Sequence, residues 1–531
     1  MLQTVRSYRG MVTAPHHLAA RAGLRVLEDG GNAIEAMIAA AAAVAVVYPH
    51  MNGIGGDCFW LIHEPGKDPV AIDAAGPAAQ LASADFYRDQ GHDRIPERGP
   101  LAALTVAGAI SGWSVAQRLS QERWGGRLPL DRLLEDAVAH ARTGVAVTTS
   151  LHVNSRDTLD QLRDVPGHAK TFLDEAGNPR PVGARLRHAE LAGVLEQLAR
   201  AGLDDFYRGD LARTIAAELE SAGSPLRLGD LEAYRALTVE PLSVKVRGHT
   251  VYNLPPPTQG LATLLILGTF DRLGVAEADG FDYVHGLVES TKRAFEIRDR
   301  HVTDPAYMTV DPRGFLEPGS LDERAAGVQM DRAAPWPSPA KKGDTVWLGA
   351  IDGEGRAVSF IQSLYWEFGS GLVLPETGIA WQNRGVSFSL DAGHLNELKP
   401  GRRPFHTIQP PLARLDDGRT MVFGTMGGEG QPQTQSVLFT RVGLYGQEPQ
   451  QAVTGPRWLL GRTWGTVTTN LKIENRFEPS VIDRLVAAGH DVDVRGPFDP
   501  IVGHAGIIVH HPDGLLEGAN DPRSDGVAAG F

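Results

Sequence analysis

The chain has 531 residues, 42% of them hydrophobic and 22% charged, the composition of a globular protein with one large core or a few packed units. Its formal charge of −13 argues against nucleic-acid binding, which needs a concentrated basic surface that local pairs such as Arg402-Arg403 do not supply. One cysteine, Cys58, excludes an internal disulfide and every paired-cysteine metal motif, and between Gly-Gly-Asp and Phe-Trp it reads as a buried structural thiol.

The opening residues lack the basic-then-apolar pattern of a secretion signal. Leu18 to Glu28 has helical spacing and ends at Asp29-Gly30-Gly31, a C-terminal stop. Asn32 caps a second helix, Ala33 to Val47, whose small apolar surface marks it as buried. That run falls short of the ~20 residues needed to cross a bilayer, so no membrane partner is expected and the setting is read as cytoplasmic. A glycine turn, Gly53 to Asp57, leads into a strand from Phe59 to His63. Between about residues 100 and 245 the pattern is helical, most clearly at Leu128–Arg142, Leu186–Gly202 and Asp210–Ala222. Pro255-Pro256-Pro257-Thr258-Gln259-Gly260 is a rigid bend before a helix from Leu261 to Leu273. The polar stretch Asp322 to Gly343 reads as exposed and mobile, as a processing loop would be. After Asp344, β-branched and aromatic runs alternate with glycine turns to the end.

Two of those runs form a hairpin. Thr345–Ile351 and Arg356–Ser363 read as strands joined by Asp352-Gly353-Glu354-Gly355. Pairing Ile351 with Arg356 sets Thr345 opposite Gln362, beside Ser363. Turn length alone therefore brings a second hydroxyl close to Thr345. Taken bare, Thr345 is only a strand residue.

Several motifs, in order along nearly the whole chain, resemble the gamma-glutamyltranspeptidase family of N-terminal nucleophile hydrolases. They are Gly10 to Pro15, Gly30 to Ala33, Tyr48-Pro49-His50 to Gly56 and Pro255 to Gly260. Asp344-Thr345, Phe368 to Gly371, Arg403-Pro404, Met426-Gly427-Gly428, Gly503 to Ala505, Glu517 to Ala519 and Asp521 to Gly526 complete the series. The resemblance implies an α+β fold, a four-layer αββα sandwich with two stacked antiparallel sheets between helical layers. It also implies autocatalytic scission of the Asp344–Thr345 bond. Residues 1–344 then form a large subunit and residues 345–531 a small one, two intertwined chains of one domain. The assembly is that heterodimer or a dimer of it.

The chemistry implied is physically coherent. A threonine hydroxyl is a poor nucleophile and needs a base. Scission frees the α-amine of Thr345, with a reference pKa of about 7.7–8.0, to serve as one. In the family's pattern Ser363 falls where a hydroxyl hydrogen-bonds the nucleophile, and Gly427 and Gly428 where backbone N–H groups bind the oxyanion.

The substrate clamp departs from the pattern. Asp73 takes the place of the family's arginine, Ser387 that of its downstream acid, and Tyr365 that of an amide residue. Arg384 replaces a glutamine, and His406-Thr407 replace paired serines. An acid in place of the arginine repels a gamma-glutamyl carboxylate. Arg384 suits a bidentate carboxylate instead, with Tyr365, Trp366 and Trp381 narrowing the pocket, although Asp57 or Glu376 could equally pair with it structurally. The runs Tyr48–Asn52, Gln362–Glu367 and Trp381–Arg384 resemble the oxamate amidohydrolase branch, which implies a small carboxylate-bearing amide such as oxamate. The alternatives are a gamma-glutamyltransferase or glutathione hydrolase with a rebuilt clamp, an acylase for larger amides, and a non-enzymatic binder that does not process.

No cofactor is implied. His16-His17, His50 and His510-His511 lack metal-ligand spacing, and no phosphate loop or GxSxG elbow occurs.

Overall fold

The structure, a computed structural model, describes residues 3–336, 343–461 and 468–531, with the side chain of Asp344 left out. The front of the chain folds as its caps dictate. Asn32 Oδ1 accepts the N–H groups of Ile34 and Glu35, and Glu35 reaches back to Asn32 N at 2.9 Å, closing a capping box. The helix Ala33–Val47 that follows is buried along its whole length. Helices Asp210–Ala222 and Gly260–Asp271 lie where their apolar spacing puts them.

Two seven-stranded sheets form among the described residues, each antiparallel throughout. The first runs Val5–Ser7, Leu516–Asn520, Ala505–His510, Thr420–Thr425, Leu412–Arg414, His249–Asn253, Leu242–Val246. The second runs Val527–Gly530, Gly10–Ala14, Asp344–Asp352, Ala357–Tyr365, Asp57–His63, Val70–Ala74, Leu237–Val239. Phe59, Trp347, Ile351, Ile361, Val422 and Ile508 fill the space between the sheets. One outer face packs on helices that include His17–Glu28 and Ala33–Val47. The other packs on Gly260–Asp271, Phe281–His301 and Gln431–Phe439. This is the expected α+β sandwich of two stacked sheets between helices. No helix among the described residues is long and apolar enough to cross a membrane.

Both sheets mix strands from either side of residue 344. The strand Asp344–Asp352 lies between Gly10–Ala14 and Ala357–Tyr365, and Leu516–Asn520 pairs with Val5–Ser7.

Three expectations need adjusting. The helical stretch stops before residue 245, because Leu237–Val239 and Leu242–Val246 are strands at sheet edges. The stretch Asp322 to Gly343 starts inside a helix, Pro318–Ala326. It is then tied down by a buried ion pair: Lys292 Nζ donates to Glu289 Oε1 (2.7 Å) and Ala334 O (2.6 Å), while Ala334 N donates to Glu289 Oε2 (3.1 Å). Buried charges demand such partners, which fixes the chain up to that point. Residues 337–342 of the stretch lie outside the described residues. Finally, the hairpin pairs Ile351 with Ala357, not Arg356. Asp352 explains the shift. Its carboxylate accepts the N–H of Glu354 and Arg356 (both 3.1 Å) and the Arg356 guanidinium (2.8 Å), holding Arg356 in the turn.

Alternation along the hairpin decides what faces what. Val346, Leu348 and Ala350 point to the helices, Trp347 and Ile351 to the other sheet. Trp347 reaches across because the facing strands carry glycines: a β-carbon at Gly424 would lie 2.3 Å from its Cδ1, and one at Gly506 2.6 Å from its Cζ3. Its indole N–H donates to Ser359 Oγ at 2.9 Å. Gly424→Ala overpacks this contact and is expected to destabilise the protein by about 1–3 kcal/mol, read as a lower denaturation midpoint than wild type.

Candidate active site

Thr345 sits where the hairpin pairing slips. Asp344 pairs with Tyr365 and Val346 with Gln362, a β-bulge between them. The Thr345 hydroxyl donates to Ser363 Oγ at 3.3 Å, and Ser363 Oγ also accepts the N–H of Tyr365 at 2.8 Å. Both hydroxyl residues are buried. The corrected register thus favours the contact that turn length had brought only into range.

Tyr365 holds the left-handed conformation, φ 84°, rare for a residue with a side chain. Its ring lies 3.7 Å below the guanidinium carbon of Arg384. Arg384 is fully buried and donates from Nη1 to Thr407 Oγ1 at 3.3 Å. Its Nε and Nη2 are buried with no hydrogen-bond partner, and so is Ser387 Oγ in the same short turn. Burial pushes the Arg384 pKa down to about 10, against the pull of Tyr365 and Asp57, so the group stays charged at neutral pH. No carboxylate accepts a hydrogen bond from it among the described residues. Glu376, the other acid the sequence offered, is exposed, and its backbone N–H donates to Glu218 Oε1.

Gly427 and Gly428 have φ of 119° and 48°. A β-carbon at Gly428 would lie 3.0 Å from Gly343 Cα, so this approach needs glycine. One buried amide braces the region. Gln259 Nε2 donates to Thr407 O (2.6 Å) and Gly428 O (2.8 Å), and Arg298 Nη1 donates to Gln259 Oε1 (3.0 Å). Gln259 lies within the Pro-rich bend that the sequence singled out, yet its role was not legible there. The available signal was an amide directly after a rigid turn.

Asp57, offered by the sequence as a structural partner of Arg384, lies at the head of the strand beside Ser363 and makes no hydrogen bond to that arginine. Its Oδ1 accepts the N–H of Gly76 (3.1 Å) and Gly108 (3.0 Å) and the Gln382 amide (3.1 Å). Its Oδ2 lies 3.2 Å from His406 Nε2 without forming an aligned hydrogen bond. Burial pushes the Asp57 carboxyl up to about 7, opposed by Arg384, Gln382 and the two backbone N–H groups. Burial, with Arg384 and Arg403 nearby, holds His406 well below the usual imidazole range.

The structure gathers Thr345, Ser363, Tyr365, Arg384, Thr407 and the glycine pair around Gly343. A β-carbon at Gly343 would lie 3.0 Å from Gly428 Cα, 3.4 Å from Thr407 Oγ1 and 3.5 Å from the Tyr365 ring. Asp73 has other company. Its Oδ2 accepts Arg403 Nη1 at 2.7 Å and its Oδ1 accepts Ala75 N at 2.9 Å, and Arg403 also contacts Asp304 at 3.3 Å. Cys58 is the expected buried thiol, its pKa raised by burial and its sulfur accepting the Trp60 N–H at 3.3 Å.

Stacked antiparallel sheets between helices, with a threonine opening a central strand beside a hydroxyl and a glycine pair, define an N-terminal nucleophile hydrolase, an enzyme acting on amide bonds. The chain matches the gamma-glutamyltranspeptidase family over residues 19–531 and belongs to that family. It is 54% identical over 525 residues to the oxamate amidohydrolase proenzyme of Klebsiella pneumoniae subsp. pneumoniae, covering 99% of each chain. It is 39% identical over 534 residues to a glutathione hydrolase-like proenzyme of Bacillus subtilis, covering 100% of each. Among solved structures it resembles cephalosporin acylase from Bacillus halodurans, with a TM-score of 0.91, 35% identity, and coverage of 100% of this chain and 97% of that one.

Gln259→Leu removes the donor to two buried carbonyls at once. Each orphaned group costs about 1–3 kcal/mol, so a lower denaturation midpoint and a lower kcat are expected together.

Proposed function

We propose that this chain is a proenzyme that cuts itself between Asp344 and Thr345, and that the freed threonine hydrolyses a small carboxylate-bearing amide such as oxamate. The observation that carries the substrate class is Arg384, a buried guanidinium with two unpartnered nitrogens stacked on the ring beside Ser363. A buried cation with free donors is costly unless an anion completes it. A carboxylate spans the two donors in bidentate fashion, and Thr407 and Ser387 lie in the same group. The 54% identity to an oxamate amidohydrolase proenzyme supports the same choice.

In this reading the uncut chain fills its own site. Gly343 occupies the space against Gly428, Thr407 and Tyr365 that the substrate takes once the segment leaves. Scission begins when Thr345 Oγ attacks the Asp344 carbonyl carbon. The peptide becomes an ester, and water cleaves it. The two products stay together as a heterodimer, because strands of both share each sheet. In turnover the Thr345 amine takes the hydroxyl proton as Oγ attacks the amide carbon. The oxyanion is received by N–H groups of Gly427 and Gly428, a donor type worth about 2.7–4 kcal/mol apiece in barrier. The leaving ammonia carries off that proton, and water then hydrolyses the acyl-threonine to release the dicarboxylate. Ser363 orients the nucleophile by its hydrogen bond. The single buried thiol fits a reducing, cytoplasmic setting.

A gamma-glutamyl clamp is disfavoured, since the position expected to hold its carboxylate is Asp73, already bound to Arg403. Ammonia release from oxamate is expected to exceed turnover of a gamma-glutamyl anilide; efficient turnover of the anilide alone would reverse the assignment. Thr345→Ala is expected to remain one chain by denaturing mass spectrometry and to be inactive, whereas wild type yields a fragment beginning at Thr345. Arg384→Met should process normally but lose roughly 10- to 150-fold in kcat/KM for oxamate, the effect of about 1.5–3 kcal/mol from a charged hydrogen-bonded contact.

A further inference from the structure

Asp57 and His406 are fully buried behind Arg384 and are not explained by the hydrolytic chemistry above. Every hydrogen bond to the Asp57 carboxyl falls on Oδ1, leaving Oδ2 facing His406 Nε2 at 3.2 Å. Neither imidazole nitrogen of His406 makes a hydrogen bond, and its ring is packed against Phe59 at 4.9 Å. With Asp57 ionised and His406 neutral, the cluster holds one positive and one negative charge. A substrate carboxylate arriving on Arg384 adds a second negative charge at a buried, weakly screened place. One proton on the pair restores balance: it leaves Arg384 and imidazolium against Asp57 and substrate, or Arg384 against substrate with Asp57 neutral.

We propose that Asp57 and His406 form a proton-accepting couple that takes up one proton as a monocarboxylate binds Arg384, making the site selective for singly charged substrates. The couple is a positioning and charge-selecting device, and it rests on the carboxylate reading of Arg384. The charged and titratable groups that face it are Arg384, Arg403 with its partners Asp73 and Asp304, the Cys58 thiol, and the hydroxyls of Tyr207 and Tyr234. Arg384 stays protonated, and burial raises the thiol and both hydroxyls. Burial also raises Asp73, but Arg403 opposes that rise and holds Asp73 and Asp304 by ion pairs, whereas Asp57 Oδ2 has no such partner. The free Asp57 carboxyl titrates at about 7, so the uptake falls in an accessible range. The sign follows directly. Below that pH the couple already holds its proton and binding needs none; above it, binding must draw one from solvent and weakens by up to tenfold per pH unit.

The test uses pyruvate, a monoanion of oxamate's shape with no amide to cleave, titrated calorimetrically into the matured enzyme in buffers of different ionisation enthalpy. Near one proton taken up per site at pH 8, falling towards none at pH 6, is expected, with KM for oxamate rising over the same interval. Asp57→Asn should bind pyruvate without that uptake and with flattened pH dependence, and Asp57→Ser, which also removes the carboxyl, provides a second variant if Asp57→Asn fails to fold. Any proton exchange at the Thr345 amine persists in both variants, so the difference isolates the couple. Pyruvate binding to wild type at pH 8 with no proton uptake overturns the couple and leaves the carboxylate reading intact. Pyruvate that binds at no pH, with Arg384→Met retaining full turnover of oxamate, overturns both.

Discussion

The Trp347 indole, wedged between the two sheets, is the contact on which the geometry of the site depends. It lies two positions beyond Thr345 on the same strand and points to the other sheet. Gly424 and Gly506 on the facing strands make room for it, and Ser359 holds its N–H. With the indole fixed, the start of the strand has little freedom. Thr345 is then delivered against Ser363 by a strand whose pairing ends in a bulge. The glycines that admit the indole lie on Thr420–Thr425 and Ala505–His510, and the first of these strands runs directly on to Met426, Gly427 and Gly428. Nucleophile and glycine pair are therefore positioned through one shared sheet-to-sheet contact.

Around that rigid start, the site buries several polar atoms without pairing them. Arg384, Ser387, His406 and Asp57 each present an atom with no hydrogen bond in the protein. Folding alone gives no return on such an arrangement, since each orphaned group forfeits its hydration. The bracing just outside is the opposite: Gln259, Arg298 and Glu429 are joined, as are Asp73, Arg403 and Asp304. Satisfied groups form the frame and unsatisfied ones line the space inside it.

The positions that match the family's pattern and those that depart from it lie on different parts of the fold. The hydroxyl pair sits on two central strands of one sheet, and the glycine pair follows a central strand of the other. The departing positions include Arg384 and Ser387 on one short turn and His406-Thr407 on a segment whose backbone Gln259 holds at Thr407 O. A charge reversal at position 73 is accommodated because Arg403 is close enough to neutralise it.

The sequence by itself determined the helices with strong caps and the hairpin around Asp352, because these depend on short-range spacing, and the readable order of its motifs carried the resemblance to the family. It placed Thr345 near Ser363 but set the register one residue off. The Asp352 carboxylate, bonded to the backbone of Glu354 and Arg356, keeps Arg356 in the turn, and its contact to Ala33 N comes from a distant helix. Only the tertiary structure decided that Asp73 belongs to Arg403, that Gln259 braces the glycine turn, and that Asp57 faces His406. Those pairs join residues 330, 169 and 349 positions apart (403 − 73, 428 − 259 and 406 − 57), and no local pattern records them. They exist because two sheets and the turns at their ends converge on one buried space, where each polar atom must find a partner or be kept for one.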